Sequence, residues 1–245
     1  MRRIFGYVGL VSVLSVVACG GEPAPDFGPD PDFAAIETKL RSPTGTTSEE
    51  TIGDVLAAVG TDAATADGKA TIGLSSLVTL DASATLRDPT RTTMFRGCSD
   101  IEAKRTEGTC SCTFGGEIDY AIEKNGETGM MRVRLSSCEL AAGLPAVDGT
   151  MHVFVARSEG SKPYEMATAD WRMRGPDGPV RYAPLLLREG GITFYPIETA
   201  DGYVVAGRLG GVVFIRDRDR EITCTSLETG YRCTGSDGSE LTVVR

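Results

Sequence analysis

Hydrophobic and polar residues alternate along much of the chain after residue 112. The clearest stretch surrounds Asn125 and Gly126, where apolar residues recur at alternate positions before and after the pair. A period of two is typical of strands with one buried face, and Asn followed by Gly favours a tight hairpin turn. The pattern predicts an antiparallel hairpin in which acidic residues of the first strand face arginines of the second. The apolar residues are Phe114, Ile118, Tyr120, Ile122, Met131, Val133 and Leu135.

Short runs rich in β-branched and aromatic residues recur toward the C-terminus, with glycine-rich turns between them. They cover residues 151–156, 192–197, 203–208, 212–215, 221–226 and 241–244. Regular short strands separated by such turns predict an antiparallel β meander, which closes as a barrel or folds as a sandwich. Residues 74–80 fit either a helix or a strand by periodicity, and their Thr and Val content favours a strand.

Apolar residues at helical spacing predict two short helices within residues 33–60. Asp30 is the predicted N-cap of the first helix, with Pro31 in its first turn. Thr47 and Glu50 have the spacing of a capping box at the start of the second helix. The expected fold is therefore mainly β, a single domain over residues 33–245 with a small helical N-terminal segment.

Residues 1–18 have the composition of an export signal. Arg2 and Arg3 precede an apolar run over residues 4–17, which is shorter than the roughly 20 residues that a membrane-spanning helix needs. The run ends in Val-Val-Ala-Cys at residues 16–19, which resembles the lipobox of bacterial lipoproteins.

The lipobox resemblance implies that the signal is removed and that Cys19 becomes the acylated N-terminus, carrying a lipid such as palmitate. Gly20 follows it rather than Asp, which implies sorting to the outer membrane of the bacterial cell envelope. Residues 19–32 contain four prolines among acids and glycines, so we expect an extended tether. The alternative is a plain secreted protein in which Cys19 forms a disulfide.

Six cysteines remain when Cys19 is set aside, and an exported chain folds where disulfides persist. Folding the chain about the Asn-Gly turn brings Cys112 opposite Cys138 or one residue away. Hairpin geometry therefore predicts a disulfide between these two residues.

A second hairpin loop that includes Gly230 brings Cys224 beside Cys233 in the same way. Cys98 then pairs with Cys110 by elimination, and an exchange of roles between the two cysteines of the Cys-Ser-Cys sequence at residues 110–112 remains open. That spacing does not match a zinc ribbon, so disulfides are expected here and a metal site is not.

The chain is acidic, with 34 Asp and Glu against 25 Lys and Arg and a formal charge of −9. Removal of Arg2 and Arg3 with the signal leaves 34 acidic against 23 basic residues, a charge of −11. An acidic surface without a basic stripe repels phosphate backbones, so we expect no nucleic-acid partner.

Residue types that carry catalysis are sparse. His152 is the only histidine, and its place in an alternating run predicts a strand residue on the less buried face. Asp217, Asp219 and Glu221 could face one Ca²⁺ ion, but the interleaved arginines and the missing glycine of a calcium loop favour a solvated charged turn. We therefore expect no catalytic site, no cofactor and no metal.

Trp171 is the only tryptophan, in the sequence Asp-Trp-Arg-Met-Arg. Alternation places Trp171 and Met173 on one strand face, with Arg172 and Arg174 on the other. Trp171 fits a core position, and the alternative is that Trp171, Arg172 and Arg174 anchor a ligand or partner.

Together these features predict a non-enzymatic, membrane-anchored lipoprotein of the cell envelope. Its disulfide-stapled β domain would bind an envelope protein or polymer. One alternative is a β-barrel carrier of a small molecule or lipid, and a further alternative is a hydrolase that uses two carboxylates.

Overall fold

The computed structural model of the chain describes residues 25–60, 98, 105–126, 128–139, 145–156, 164–175, 178–183 and 185–244. The export signal, Cys19 and the predicted strand at residues 74–80 lie outside these ranges.

Within the described ranges, two helices precede thirteen β-strands. The helices are α1 (Phe33–Arg41) and α2 (Glu49–Gly60). The strands are β1 (Glu107–Ser111), β2 (Glu117–Asn125), β3 (Thr128–Cys138), β4 (Val147–Ala156), β5 (Tyr164–Gly175), β6 (Gly178–Tyr182), β7 (Leu185–Glu189), β8 (Ile192–Thr199), β9 (Gly202–Leu209), β10 (Val212–Arg216), β11 (Glu221–Leu227), β12 (Gly230–Gly235) and β13 (Glu240–Val244). This order confirms the predicted β fold with a helical N-terminal segment.

All of these strands belong to one antiparallel sheet, and nearly every strand pairs with its neighbours in the chain. The exception among the described strands is that β6 and β7 do not pair with each other, because β6 pairs with the C-terminal part of β5 and β7 with its N-terminal part. The sheet order runs from β1 to β13, and no ladder among the described residues joins these two strands. The sheet is therefore a meander that hydrogen bonds do not close into a barrel within this part of the chain.

The hairpin of β2 and β3 follows the predicted alternation, with its turn one residue later than expected. Asn125 pairs with Thr128, so Asn125 belongs to the strand and Gly126, at φ 60°, starts the loop. As predicted, an acid of the first strand faces an arginine of the second, because Asp119 forms a salt bridge with Arg134. The turn shifts, but the paired faces of the hairpin are those that the sequence predicts.

Phe114 departs from the predicted pattern because it lies outside the hairpin. It is 49% exposed, in a turn over residues 112–116 that is closed by a hydrogen bond from the N–H of Cys112 to the carbonyl of Gly116. The other six apolar residues predicted for the hairpin are buried.

Both helices begin at a different cap from the predicted one. The side chain of Asp32 accepts an N–H from the first turn of α1, whereas Asp30 binds an arginine of the sheet. The hydroxyl of Ser48 accepts an N–H from the first turn of α2, whereas Thr47 binds a loop of the sheet. Both residues that were predicted to cap the helices therefore form tertiary contacts with the sheet instead. Neither described helix is long and apolar enough to cross a membrane.

The two helices cover opposite faces of the sheet. Val204 and Val205 are consecutive in β9, so their side chains point to opposite faces. Val204 packs in the cluster that includes α2, and Val205 packs in the cluster that includes α1. A third cluster surrounds Trp171. Tyr195 and Ile197 are two positions apart in β8, so their side chains lie on the same face. Tyr195 packs against the third cluster and Ile197 against the cluster of α2, so these two clusters share that face.

Residues 42–48 connect the helices around one end of the sheet, and we term them the strap. The N–H groups of Thr44 and Gly45 donate to the carbonyl oxygen of Tyr203 at 3.1 and 2.8 Å. The carbonyl of Gly45 in turn accepts the N–H of Arg218. The strap thus adds backbone hydrogen bonds to β9 and to the loop after β10.

Two aspartates from separate hairpin loops bind the strap. Asp201, between β8 and β9, accepts the N–H and the hydroxyl of Thr46 at 3.1 and 2.6 Å. Asp217, between β10 and β11, accepts the same two groups of Thr47. The strap therefore joins the N-terminal segment to loops that lie 155 and 170 residues later in sequence.

Candidate functional site

Three disulfides connect the described cysteines in the predicted pairs. They join Cys98 to Cys110, Cys112 to Cys138 and Cys224 to Cys233. The alternative exchange within the Cys-Ser-Cys sequence does not occur. Cys224 and Cys233 lie directly opposite each other, with Cα atoms 3.9 Å apart, the close approach of a non-hydrogen-bonded pair. The disulfides cross-link the sheet near both of its ends.

Trp171 lies in the third cluster with no exposed surface. Gly149 is its partner across β4 and β5, at φ 135°, and a Cβ atom there would overlap the carbonyl oxygen of Asp170. Glycine therefore allows the two strands to approach beneath the indole. The structure places Trp171 in the core, the first of its two predicted roles, so its ring does not reach a partner at the surface.

Arg172 points to the opposite face, where it joins other charged side chains. We term Asp119, Arg134, Asp170, Arg172 and Arg181 the charged strip. Asp119 binds Arg134 at 2.7 Å, and the carboxylate of Asp170 accepts two hydrogen bonds from Arg181 at 2.7 and 2.8 Å. Arg172 is exposed and pairs with Arg181 in the β5–β6 register, and it forms no salt bridge with a described residue.

Arg174 also lies in β5, two positions beyond Arg172, but its side chain is outside the described part of the structure. Of the three predicted anchor residues, the structure therefore places only Arg172 on the surface.

A second polar cluster, on the α1 face, surrounds the only histidine. The carboxylate of Asp30 accepts two hydrogen bonds of 2.6 Å from the guanidinium of Arg132, and Glu123 accepts one of 3.0 Å. His152 pairs with Arg132 across β3 and β4, and its Nε2 atom is 3.7 Å from Oδ1 of Asp30. We term these four residues the clamp. The clamp places the end of the predicted tether against the sheet.

The clamp corrects the predicted exposure of His152. Its side chain is 7% exposed, and Nε2 has no hydrogen-bond partner among the described residues. Burial lowers the pKa of His152, while the negative charge of Asp30 raises it by less. The hydrogen bond from Arg132 lowers the pKa of Asp30. At neutral pH the clamp therefore contains a neutral imidazole beside an ionised carboxylate.

The predicted charged turn after β10 is present, but its first carboxylate is buried. Oδ1 of Asp217 accepts hydrogen bonds from the N–H groups of Asp219 and Arg220 at 2.9 and 2.8 Å. Oδ2 accepts a hydrogen bond from the N–H of Thr47. Burial acts to raise the pKa of Asp217, but the hydrogen bonds together outweigh burial, so the pKa lies below its ordinary value. Both oxygen atoms thus accept hydrogen bonds within the protein, so Asp217 joins the strap to the turn after β10.

In the described ranges, no three His, Cys, Asp or Glu side chains are grouped as a metal site requires. No protein-family model, curated protein or solved structure matches the chain.

The clamp and the strap contacts were not predicted from the sequence. Asp30 and Arg132 are 102 residues apart, and the aspartates that bind the strap are more distant still. A local pattern reports helices, strands and turns, but it carries no signal for such pairs. By sequence alone, Asp30 and Thr47 fit helix caps, because capping is a local role open to the same side chains.

Proposed function

We propose that this chain is a lipoprotein of the bacterial cell envelope, anchored to the outer membrane through Cys19, and that its β domain is a non-enzymatic binding module. The three disulfides are the observation that carries export, because such bonds persist in oxidising compartments. The lipobox-like residues 16–19 support the anchor.

The charged strip is the surface that we assign to the partner. Arg172 and Arg181 are cross-strand neighbours, and like charges directly opposite each other destabilise a sheet. Asp170 forms a salt bridge with Arg181, while Arg172 has no salt-bridge partner in the described part of the chain, although Asp148 is its neighbour across β4. An envelope protein or polymer with an anionic group would supply that partner, so we propose that Arg172 binds such a group.

The anchor is tested by cell fractionation. Cys19→Ser should move the protein from the membrane to the soluble fraction. Cys98→Ser, which also removes a cysteine but leaves the lipobox intact, should leave the protein in the membrane. Persistence of the Cys19→Ser protein in the membrane would contradict the proposed anchor.

The binding surface is tested by a photo-cross-linking residue placed at Arg172 in the cell. We expect a discrete adduct from this position and none from Glu228, an exposed loop residue between β11 and β12. Arg172→Glu should abolish co-purification of the adduct partner, and Arg172→Lys should retain it. Equal adducts from both positions, or none from Arg172, would overturn the assignment.

A further inference from the structure

Beyond the proposed function, we infer that two copies of the chain associate through β13, the strand at the end of the sheet. The backbone edge of β13 in one copy would pair with the same edge of the second copy.

The direction of the backbone groups in β13 follows from its ladder with β12. The N–H of Gly235 donates to the carbonyl of Ser239 at 2.8 Å, so these two residues form a hydrogen-bonded pair. Hydrogen-bonded and non-hydrogen-bonded pairs alternate along an antiparallel ladder. The next hydrogen-bonded pair in the observed register is therefore Cys233 with Leu241, followed by Tyr231 with Val243.

The β11–β12 disulfide agrees with this alternation. The 3.9 Å Cα separation of Cys224 and Cys233 is that of a non-hydrogen-bonded pair, so the backbone groups of Cys233 point to β13. The groups that β13 directs away from β12 are consequently the N–H and C=O of Glu240, Thr242 and Val244. No strand in the described ranges pairs with this edge.

The outward edge is self-complementary. If β13 pairs antiparallel with itself about Thr242, Thr242 faces Thr242 and Glu240 faces Val244 of the second copy. These are the residues whose N–H and C=O groups point outward, so each group finds a partner. Threonine pairs across strands are favourable, and Val244, which is 73% exposed, loses part of its exposed apolar surface.

The same register continues the core on the α2 face. Leu241 and Val243 are half-buried and pack against the cluster under α2. Pairing about Thr242 places Leu241 beside Val243 of the second copy, at a non-hydrogen-bonded position where side chains approach most closely. The dimer would therefore cover apolar surface that the single sheet leaves at its edge.

The opposite end of the sheet differs from β13. The disulfide from Cys98 lies at β1, so part of the chain already occupies the neighbourhood of that strand. Residues 240–244 contain no Pro, Lys or Arg, and Glu240 is the single charged residue among them that could protect the edge from pairing. Pairing of one short strand buries less than the roughly 1,000 Å² of a stable interface, so we expect a weak dimer, with a Kd of about 10 µM or more.

The dimer is tested by native mass spectrometry of the full chain, extracted in mild detergent, from about 1 µM to about 1 mM, a range that brackets the expected Kd. The wild-type protein should become dimeric as its concentration rises. Thr242→Lys and Thr242→Glu each place like charges opposite each other and should remain monomeric. An equimolar mixture of the two variants should form a heterodimer.

Thr223→Lys is the matched control, because Thr223 is exposed on β11 away from the edge. It should dimerise as the wild type does, and unchanged free-thiol content in all variants checks that the disulfides have formed. A wild-type protein that stays monomeric throughout would overturn the proposal. So would a Thr242→Lys protein that dimerises normally, or a mixture that gives no heterodimer.

Discussion

The carboxylate of Asp30 receives both of its 2.6 Å hydrogen bonds from one guanidinium, that of Arg132. This contact fixes where the N-terminal segment first meets the sheet. Residues 20–29 then separate the clamp from Cys19. An extended chain covers at most about 3.6 Å per residue, so under the proposed anchor the clamp would lie within about 40 Å of the membrane surface.

Asp30→Asn should release the start of the described segment without unfolding the sheet. The carboxylate is 47% exposed, so we expect the free energy of unfolding to fall by about 1 kcal/mol or less. Amide hydrogen exchange over residues 25–33 should accelerate. Glu123→Gln, which removes the more exposed partner of Arg132, is the control and should change exchange there much less.

The contribution of Asp30 should also depend on pH. Its folded pKa lies below the ordinary value of 3.8, so the folded state releases the proton more readily than the unfolded state. The stabilisation is complete above the ordinary pKa and is lost as the pH falls through the lower folded pKa. Exchange over residues 25–33 in the wild type should approach that of Asp30→Asn only in this acidic range. Convergence of the two proteins near pH 6 would contradict this account.

His152 should titrate below the ordinary histidine pKa of 6.5, because burial disfavours the imidazolium. As the only histidine, it gives one imidazole signal whose NMR titration can be followed directly. Asp30→Asn should lower the midpoint further, since the carboxylate favours the protonated ring. A wild-type midpoint above 6.5 would show that the ring is not buried as described.

The same shift determines how His152 affects stability. The unfolded state binds the proton more tightly, so acidification below pH 6.5 should reduce the free energy of unfolding. His152→Phe should remove this part of the pH dependence. Urea unfolding between pH 7 and pH 5 measures how the free energy of unfolding depends on pH in the wild type and in His152→Phe. An identical pH dependence in the two proteins would indicate that a group other than His152 causes the loss of stability.

Asp217→Ala should destabilise the domain by roughly 2–4 kcal/mol, because it leaves buried N–H groups of the strap and the turn without their acceptor. Asp219→Ala is the control, since Asp219 is 64% exposed, and should cost about 0.5 kcal/mol or less. Urea unfolding monitored by the fluorescence of Trp171 measures both. Equal losses would mean that Asp217 has no special part in holding the strap.

Cys224→Ser should leave one new reactive thiol, at Cys233, because the structure pairs these two residues. Loss of the cross-link should reduce the free energy of unfolding by roughly 2–4 kcal/mol. Maleimide labelling followed by peptide mapping identifies the thiol, and the double variant Cys224→Ser, Cys233→Ser should not label. Labelling at any other cysteine would disprove the pairing.

Local features of the sequence were sufficient to predict a β meander and the pairing of Cys112 with Cys138 and of Cys224 with Cys233, while the pairing of Cys98 with Cys110 followed only by elimination. Alternation and turn glycines lie within a few residues of each other, and they set both the strands and the cross-strand neighbours of Cys112 and Cys224. The β2–β3 turn was misplaced by one residue because Asn125 can serve either as a turn residue or as the last strand residue.

The burial of His152 and the role of Asp217 could not be predicted in this way. Both depend on residues more than 100 positions away, since Asp30 lies beside the imidazole and Thr47 binds the carboxylate. Alternation assigns a side chain to a face of the sheet, but it does not show which segment later covers that face. The sequence therefore predicts that His152 lies in a strand, but it does not predict that the segment around Asp30 buries the imidazole.

The strap has a consequence for the order in which the molecule assembles. Residues 42–48 are synthesised early, but Asp201 and Asp217, which bind them, are among the last quarter of the chain. Neither end of the strap can be fixed until the hairpins of β8–β9 and β10–β11 exist. The strap and α2 therefore dock late, and a chain truncated before Asp217 would keep the clamp but lack one of the two aspartates that bind the strap. The strap can therefore dock fully only after nearly the whole chain has been synthesised.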